Sequence, residues 1–355
     1  MAKALDACCD GNLTFLSTAD IGRNYADSRS VDIWPGKKLY LVPRGKRFFL
    51  RELQAIKNIV QMVLQMHKAY PGEKITVIIE NSPFAAAVAC AHLKKNTDVS
   101  CYSITIDTPF TRTWRKVGIR GCINSWMFTQ GRKALQYFDG LISFTEDVKK
   151  DLQVDIPFCS FAIGCQSDAI PHQLPMITDE KTAVYAGTLI YYNGILELLQ
   201  AFSMLGKEYQ LHIYGYGPME AEVKEAAKKH SNIHFHGRFA PEDTAHILSQ
   251  YQLLINPRHI DPGIENFTFP SKLVDYILTG KSVLSSNFKT LPPQYRDFVY
   301  ILEDMRPEMI ADCVRNVFAE ELEIRHVRGQ AGIRYIQNNQ TYDKIAEKII
   351  SFSEN

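Results

Sequence analysis

Residues 256–287 hold a group whose types and spacing suit an anion. Thr268, Ser271, Lys272 and Asp275 stand at i, i+3, i+4 and i+7, which puts them on one face of a helix. Phe269, Leu273, Tyr276 and Ile277 form an apolar stripe at helical spacing that must turn to a core. Thr268 ahead of the apolar residues and Pro270 in the first turn mark a helix start, and Gly280 marks its end. The expected helix is 269–279. Lys272 is the odd member, because a cation in the first turn opposes the helix macrodipole. Free N–H groups at a helix N-terminus attract phosphate. The combination implies a phosphate-bearing ligand, with Asp275 one turn further in to receive hydroxyl groups.

The elements that must position these residues alternate. Strand-like runs at 13–17, 75–80, 100–106, 140–144 and 158–163 are separated by helical patterns at 47–69, 83–95, 114–138 and 146–152. After a proline-containing linker the rhythm restarts, with strands at 182–187, 210–214, 233–236, 253–255 and 283–286 and helices at 194–205, 219–230, 241–250 and 269–279. Alternation of this kind predicts α/β architecture with two facing doubly wound, Rossmann-like domains and a cleft between them. The expected division is 1–165 for the first domain, 166–180 for the linker, 181–330 for the second domain, and 331–355 for a C-terminal helix that packs back on the first domain. The opening MAKALDACCDG reads as the end of a helix. The expectation is that the first strand and turn are missing from this reading frame; a short helical extension is the alternative.

Bulk composition limits the function classes. The chain has 355 residues, 46% hydrophobic and 22% charged, with a net charge of +1, so no nucleic-acid partner is expected. Eight scattered cysteines without a CxxC fit a reducing cytosol better than a disulfide framework or zinc site. No stretch approaches the roughly 20 apolar residues of a membrane span, and no signal peptide is evident. The expected location is cytoplasmic, peripheral at the inner face of the plasma membrane.

Three loops at expected strand ends can approach a ligand: AGTLIYYNGI with Gly187 and Gly194, YGYGP with Gly215, Gly217 and Pro218, and the 256–287 segment. These stretches, with NIHFHGR, LLINPR and FPSKLVDYILTGKSVLSSN, resemble the donor-domain landmarks of glycosyltransferase family 4, in particular its bacterial polysaccharide-assembly branch. The resemblance covers about residues 180–305 and is only architectural before that. It implies the GT-B fold and transfer of a sugar, with retention and without a bound metal or cofactor, from a nucleotide-sugar donor to a glycan or lipid-linked acceptor. It aligns Asp275 with the second acid of the family's Glu-x7-Glu motif, the ribose-binding one. The first acid falls at Phe267, which cannot serve, and Glu265 is the nearest substitute. The family's phosphate-binding Arg and Lys fall at Thr188 and Asn193; Arg258 and Lys272 are the cations able to replace them. Where the family often places a histidine in the first domain stands Ile106, which leaves Asp107 as a catalytic candidate or a turn cap. The expected donor site is thus Gly187, Thr188, Asn193, Gly215, Gly217, Pro218, Arg258, Phe267, Thr268, Ser271, Lys272 and Asp275, with Glu265 and Asp107 as catalytic groups. A sugar-nucleotide epimerase of the same fold, or an inactive binding protein, are the alternatives.

Two windows, 37–51 and 112–133, are basic and aromatic with no acid, which suits an anionic membrane surface or a lipid pyrophosphate; a solvated helix face is the plainer alternative. His234 and His236 alternate on one short strand, and a structural or base-contacting role is expected of them rather than metal binding.

Overall fold

The computed structural model describes residues 1–10, 12–17, 30–42, 48–81, 83–106, 118–171 and 176–354. They divide into two compact units, Met1–Phe161 with Ala346–Asn355, and Ala162–Ile345.

The first unit contains α1 (Ala2–Cys8), β1 (Phe15–Ser17), β2 (Ser30–Trp34), β3 (Lys37–Leu41), α2 (Phe48–Ala69), β4 (Thr76–Glu80), α3 (Phe84–Asn96), β5 (Ser100–Ile104), α4 (Ile119–Leu135), β6 (Gly140–Ser143), α5 (Val148–Leu152) and β7 (Phe158–Ser160). Strands β4 to β7 form a parallel sheet in sequence order, and β1-β3-β2 form a separate sheet. The β2–β3 hairpin was not expected from the sequence. Its turn is Pro35-Gly36, with Gly36 at φ +82°, and the basic residues of the second strand mask its alternation. Lys37, counted in a basic window, is structural: it pairs with the buried Asp6 at 2.8 Å and donates to the Leu13 carbonyl. The alanine run of α3 is buried almost all round, and its small side chains let α2 and α4 both lie against it.

The second unit contains β8 (Thr182–Thr188), α6 (Ile195–Ser203), β9 (Gln210–Tyr216), α7 (Glu220–Lys229), β10 (Ile233–Gly237), α8 (Thr244–Ser249), β11 (Leu253–Asn256), α9 (Lys272–Leu278), β12 (Ser282–Ser286), β13 (Tyr300–Leu302), α10 (Pro307–Ala319) and α11 (Leu322–Asn339). Its sheet has the order β10-β9-β8-β11-β12-β13, all parallel, which is the doubly wound Rossmann order. Strands β11 and β12 are buried along their whole length, as a sheet covered on both faces requires. Chain order reverses between β8 and β11, so the crevice at their C-terminal ends is the topological switch point.

The chain ends in α12 (Tyr342–Glu354), of which residues 346–354 belong to the first unit. There Phe352 meets Tyr102 edge-on at 5.5 Å, and a Cβ on Gly140 would come within 2.6 Å of its ring. Among the described residues no helix is long and apolar enough to cross a membrane. Ile349 is fully buried on α12, so Ile349→Ala is expected to cost about 3 kcal/mol in chemical denaturation, as a cavity in a packed core does. A loss under about 1 kcal/mol would mean the helix contributes little to the fold.

Candidate functional site

Backbone segments crowd together at the switch point. Gly187 and Gly215 are register partners at the ends of β8 and β9, and a Cβ on Gly215 would lie 1.8 Å from the Gly187 carbonyl oxygen. A Cβ on Gly194 would lie 1.8 Å from the Pro257 oxygen, just past the end of β11, and one on Gly217 would lie 2.3 Å from the Leu189 oxygen. The loops after β8, β9 and β11 therefore touch through main chain, and only glycine permits that approach.

Helix α9 delivers a side chain to this place. It is fixed to β8 through Tyr276, whose hydroxyl accepts from the Ala186 N–H at 3.1 Å and donates to the Ala186 carbonyl at 3.2 Å. On the other side α11 lies directly on it: a Cβ on Gly329 would be 1.9 Å from the Gly280 oxygen. Lys272 is four residues before Tyr276 and so on the same helix face, aimed at the residue after Ala186. Its ammonium reaches Gly187, where a Cβ would lie 1.8 Å from Lys272 Nζ, and stands 5.0 Å from the Tyr185 ring centroid. Burial, and then the charge of Arg258, push the Lys272 pKa down to about 8. Arg258 leaves the end of β11 and lies over the Tyr192 ring at 5.2 Å. Its Nε is buried without a hydrogen-bond partner. Among the described residues neither Arg258 nor Lys272 has a carboxylate partner. Two neighbouring cations with no counter-charge, one of them largely desolvated, make a site for an anion.

The other expected residues have the following places, with one correction to the helix that carries four of them. The helix begins at Lys272, seven residues long, and not at 269. Thr268 does not cap it: its hydroxyl donates back to the Ile264 carbonyl, and its own carbonyl accepts from Thr290 Oγ1. A 3₁₀ turn at Glu265–Phe267 competes for the residues expected to open the helix. Ser271 occupies the N-cap position and is exposed. Asp275 is exposed, makes no hydrogen bond or ion pair among the described residues, and has its pKa raised by partial desolvation. Phe267 is buried, whereas Glu265 pairs with Lys289. Asn193 donates to the Thr188 carbonyl and so braces its own loop, and Pro218 is exposed beside Gly217. Asp107 lies outside the described residues.

Several contributors were not read from the sequence. Tyr185 holds the loop after β8 by donating to the Thr188 carbonyl at 2.9 Å, and burial raises its pKa. Tyr192 supports Arg258. Both look like ordinary strand or loop aromatics, and only their alternation with buried neighbours hints otherwise. His234 and His236 join His212 in a stack on one sheet face, with His212 Nδ1 2.9 Å from His236 Nε2. Burial and the neighbouring imidazoles hold His212 down to about 4. Among the described residues no group of three or more ligand-type side chains is placed to hold a metal.

The depressed pKa means that the charged form of Lys272 opposes folding below about pH 8 and that the cost disappears as the ammonium deprotonates. Lys272→Met is therefore expected to raise the melting temperature at pH 7 by about 3 °C, with the gap closing above pH 10. An unchanged or lower value at pH 7 would show that the ammonium is not an uncompensated charge.

Residues 166–335 match the family model of glycosyl transferases group 1. A search of curated proteins by sequence gives no match. Among solved structures, sucrose-phosphate synthase from Thermosynechococcus elongatus has a TM-score of 0.66 at 13% identity, covering 99% of this chain and 91% of that one. HepE of Anabaena, in complex with UDP, has a TM-score of 0.63 at 10% identity, covering 89% and 85%. The UDP-forming α,α-trehalose-phosphate synthase of Burkholderia xenovorans, in complex with glucose-6-phosphate, has a TM-score of 0.57 at 10% identity, covering 85% and 78%. At such identities the structural likeness establishes the fold, which is GT-B. Over residues 166–335, just under half of its length, the chain is similar to glycosyl transferases group 1.

Proposed function

We propose, from the premise that the chain is a glycosyltransferase carrying a group 1 domain, that it moves a sugar from a nucleotide-sugar donor to a glycan or lipid-linked acceptor in cell-surface polysaccharide assembly. The observation that carries this reading is the convergence of Arg258 and Lys272, without a carboxylate partner among the described residues, beside Gly187 at the switch point. In sugar transfer negative charge grows on the departing diphosphate as the anomeric bond breaks. Fixed cations in a partly desolvated place stabilise that charge more than they stabilise the intact donor. They supply what a metal ion supplies in other transferases, and the proposed reaction is metal-independent and retaining. In this reading the main chain at Gly187, Gly215 and Gly217, with Pro218, receives the phosphates, and Thr188, Asn193, Phe267, Thr268 and Ser271 are assigned to the rest of the donor site. Asp275, with a free carboxylate one turn from Lys272, suits the two hydroxyls of a ribose. Glu265, in exchange with its Lys289 partner, and Asp107 are assigned to the reacting sugar.

The charge state of Lys272 gives a test. Its protonated form binds a diphosphate, and it loses the proton near pH 8 in the free protein. UDP affinity by titration calorimetry should fall about tenfold from pH 7 to pH 9. Lys272→Arg should flatten that profile, and Lys272→Ala should bind UDP weakly throughout. Undiminished binding by Lys272→Ala would end the phosphate role.

For the acceptor side we propose peripheral contact with an anionic membrane. Helices α2 and α4 each precede a parallel strand, so their N-terminal ends lie at the C-terminal end of the β4–β7 sheet. Leu50 and Leu53 near the start of α2 are about half exposed, at 54% and 48%, and so is Trp126 midway along α4, at 49%. Trp126 lies 6.0 Å from Phe84 at the start of α3, which marks the same end of the sheet. The basic residues of both windows adjoin these positions in sequence. Apolar tips among lysines and arginines suit a headgroup layer. The protein should float with liposomes containing anionic lipid and not with neutral ones, and Leu53→Asp with Trp126→Asp should abolish flotation. Equal behaviour on both liposomes would exclude the contact.

A further inference from the structure

Arg258 is the more exposed problem of the two cations, since it sits on a loop while Lys272 rides on a clamped helix. We infer that Glu197 and His259 are a latch that fixes this loop, and that they are positioning residues for Arg258; the inference rests on the donor-diphosphate reading above. After Pro257 the chain runs across the turn at Tyr191–Asn193. Three contacts join the two, and a fourth ties the segment to α6. The His259 N–H donates to the Tyr192 carbonyl at 3.0 Å, and the Asp261 N–H donates to the Tyr192 hydroxyl at 2.6 Å. The His259 ring stacks on Tyr191 at 5.4 Å with planes 16° apart. Its Nε2 meets Glu197 Oε1 at 3.1 Å.

Glu197 is the informative member. It projects from the first turn of α6, its side chain is 16% exposed, and its second oxygen is buried with no partner. A carboxylate is not desolvated for nothing, and His259 is its sole hydrogen-bonding side chain among the described residues. Histidine suits the place because a flat ring stacks on tyrosine while its edge donates to the carboxylate. Tyr192 then serves three ends at once. Its carbonyl holds His259, its hydroxyl holds Asp261, and its ring carries Arg258. Unfastening His259 from α6 frees the segment on both sides of Arg258, and an incoming diphosphate must first order that side chain. Affinity falls by the fraction of time the arginine is out of place.

The test uses UDP as probe and the full-length protein. Glu197→Ala should speed hydrogen exchange at the amides of 258–261 at least tenfold while the amides of β8, β9 and β11 stay protected. It should weaken UDP binding about five- to tenfold, and Glu197→Gln, which keeps an acceptor for His259, should restore most of that loss. In the Arg258→Ala background, Glu197→Ala should add nothing, because its effect runs through the arginine. If Glu197→Ala fails to fold, His259→Ala enters the same cycle, since that side chain is partly exposed. Unchanged exchange at 258–261 overturns the latch. Additive losses overturn the positioning role. Binding that Arg258→Ala weakens and Glu197→Ala does not removes the inference alone, whereas a wild-type protein that binds no UDP removes the donor reading and the inference with it.

Discussion

A lysine ammonium packed against a glycine and next to an arginine, with no carboxylate partner for either among the described residues, is an arrangement that folding alone disfavours. The desolvation of one cation and the repulsion of the second both act against the native state, and the lowered Lys272 pKa is the measure of that opposition. Much of the second unit serves to hold it. Tyr276 ties α9 to the last residues of β8, glycines on α11 let a helix press on α9 from behind, and Tyr185 lies beneath the ammonium while closing the loop after its own strand. Each of these contacts is stabilising by itself. Together they hold a charge in a place it would otherwise leave.

The sheet order explains why the charge is held there and not elsewhere. In a doubly wound sheet the loops diverge only where the strand order reverses, and the first and fourth strands of the unit, β8 and β11, flank that reversal. Arg258 issues from one side of the crevice and Gly187 ends the other. The glycines bring the β8, β9 and β11 loops into main-chain contact, so the crevice is lined by peptide groups at its base and by two cations at its rim. Main-chain dipoles and fixed cations have no rotamers to lose on binding, which favours an anion more than flexible surface lysines would.

The sequence made much of this legible, and for identifiable reasons. Elements of the second unit are legible because the central strands β8, β11 and β12 are short apolar runs covered on both faces, while β9 and β10 alternate. The anomaly of Lys272 was visible as a charge on the wrong end of a helix, though the supposed helix start was three residues early. The error came from Thr268, which in sequence looks like a cap but spends its hydroxyl on the preceding turn. Local rules cannot separate those two uses, since both satisfy the same side chain. The β2–β3 hairpin escaped because charge hid its alternation, and Lys37 was counted as surface charge because its partner, Asp6, lies far away in sequence. Tyr185, Tyr192, Glu197 and His259 escaped because their roles depend on which loops the sheet order brings together. No spacing within one segment encodes that.

The position of the charge also accounts for a departure from the pattern that the family resemblance led one to expect. The loop after β8 has threonine at 188 and asparagine at 193, where basic residues were anticipated, and Asn193 is committed to bracing the Thr188 carbonyl. The ammonium of Lys272 nevertheless arrives at Gly187, one residue from the vacant place, by way of α9. Chemistry fixes where positive charge must stand relative to a departing diphosphate and leaves open which segment supplies it. Supply from a clamped helix gives a more rigid charge than supply from a loop. The same rigidity prevents the lysine from reaching solvent, so its pKa falls toward neutrality. Preorganisation and sensitivity to pH are then two consequences of one burial.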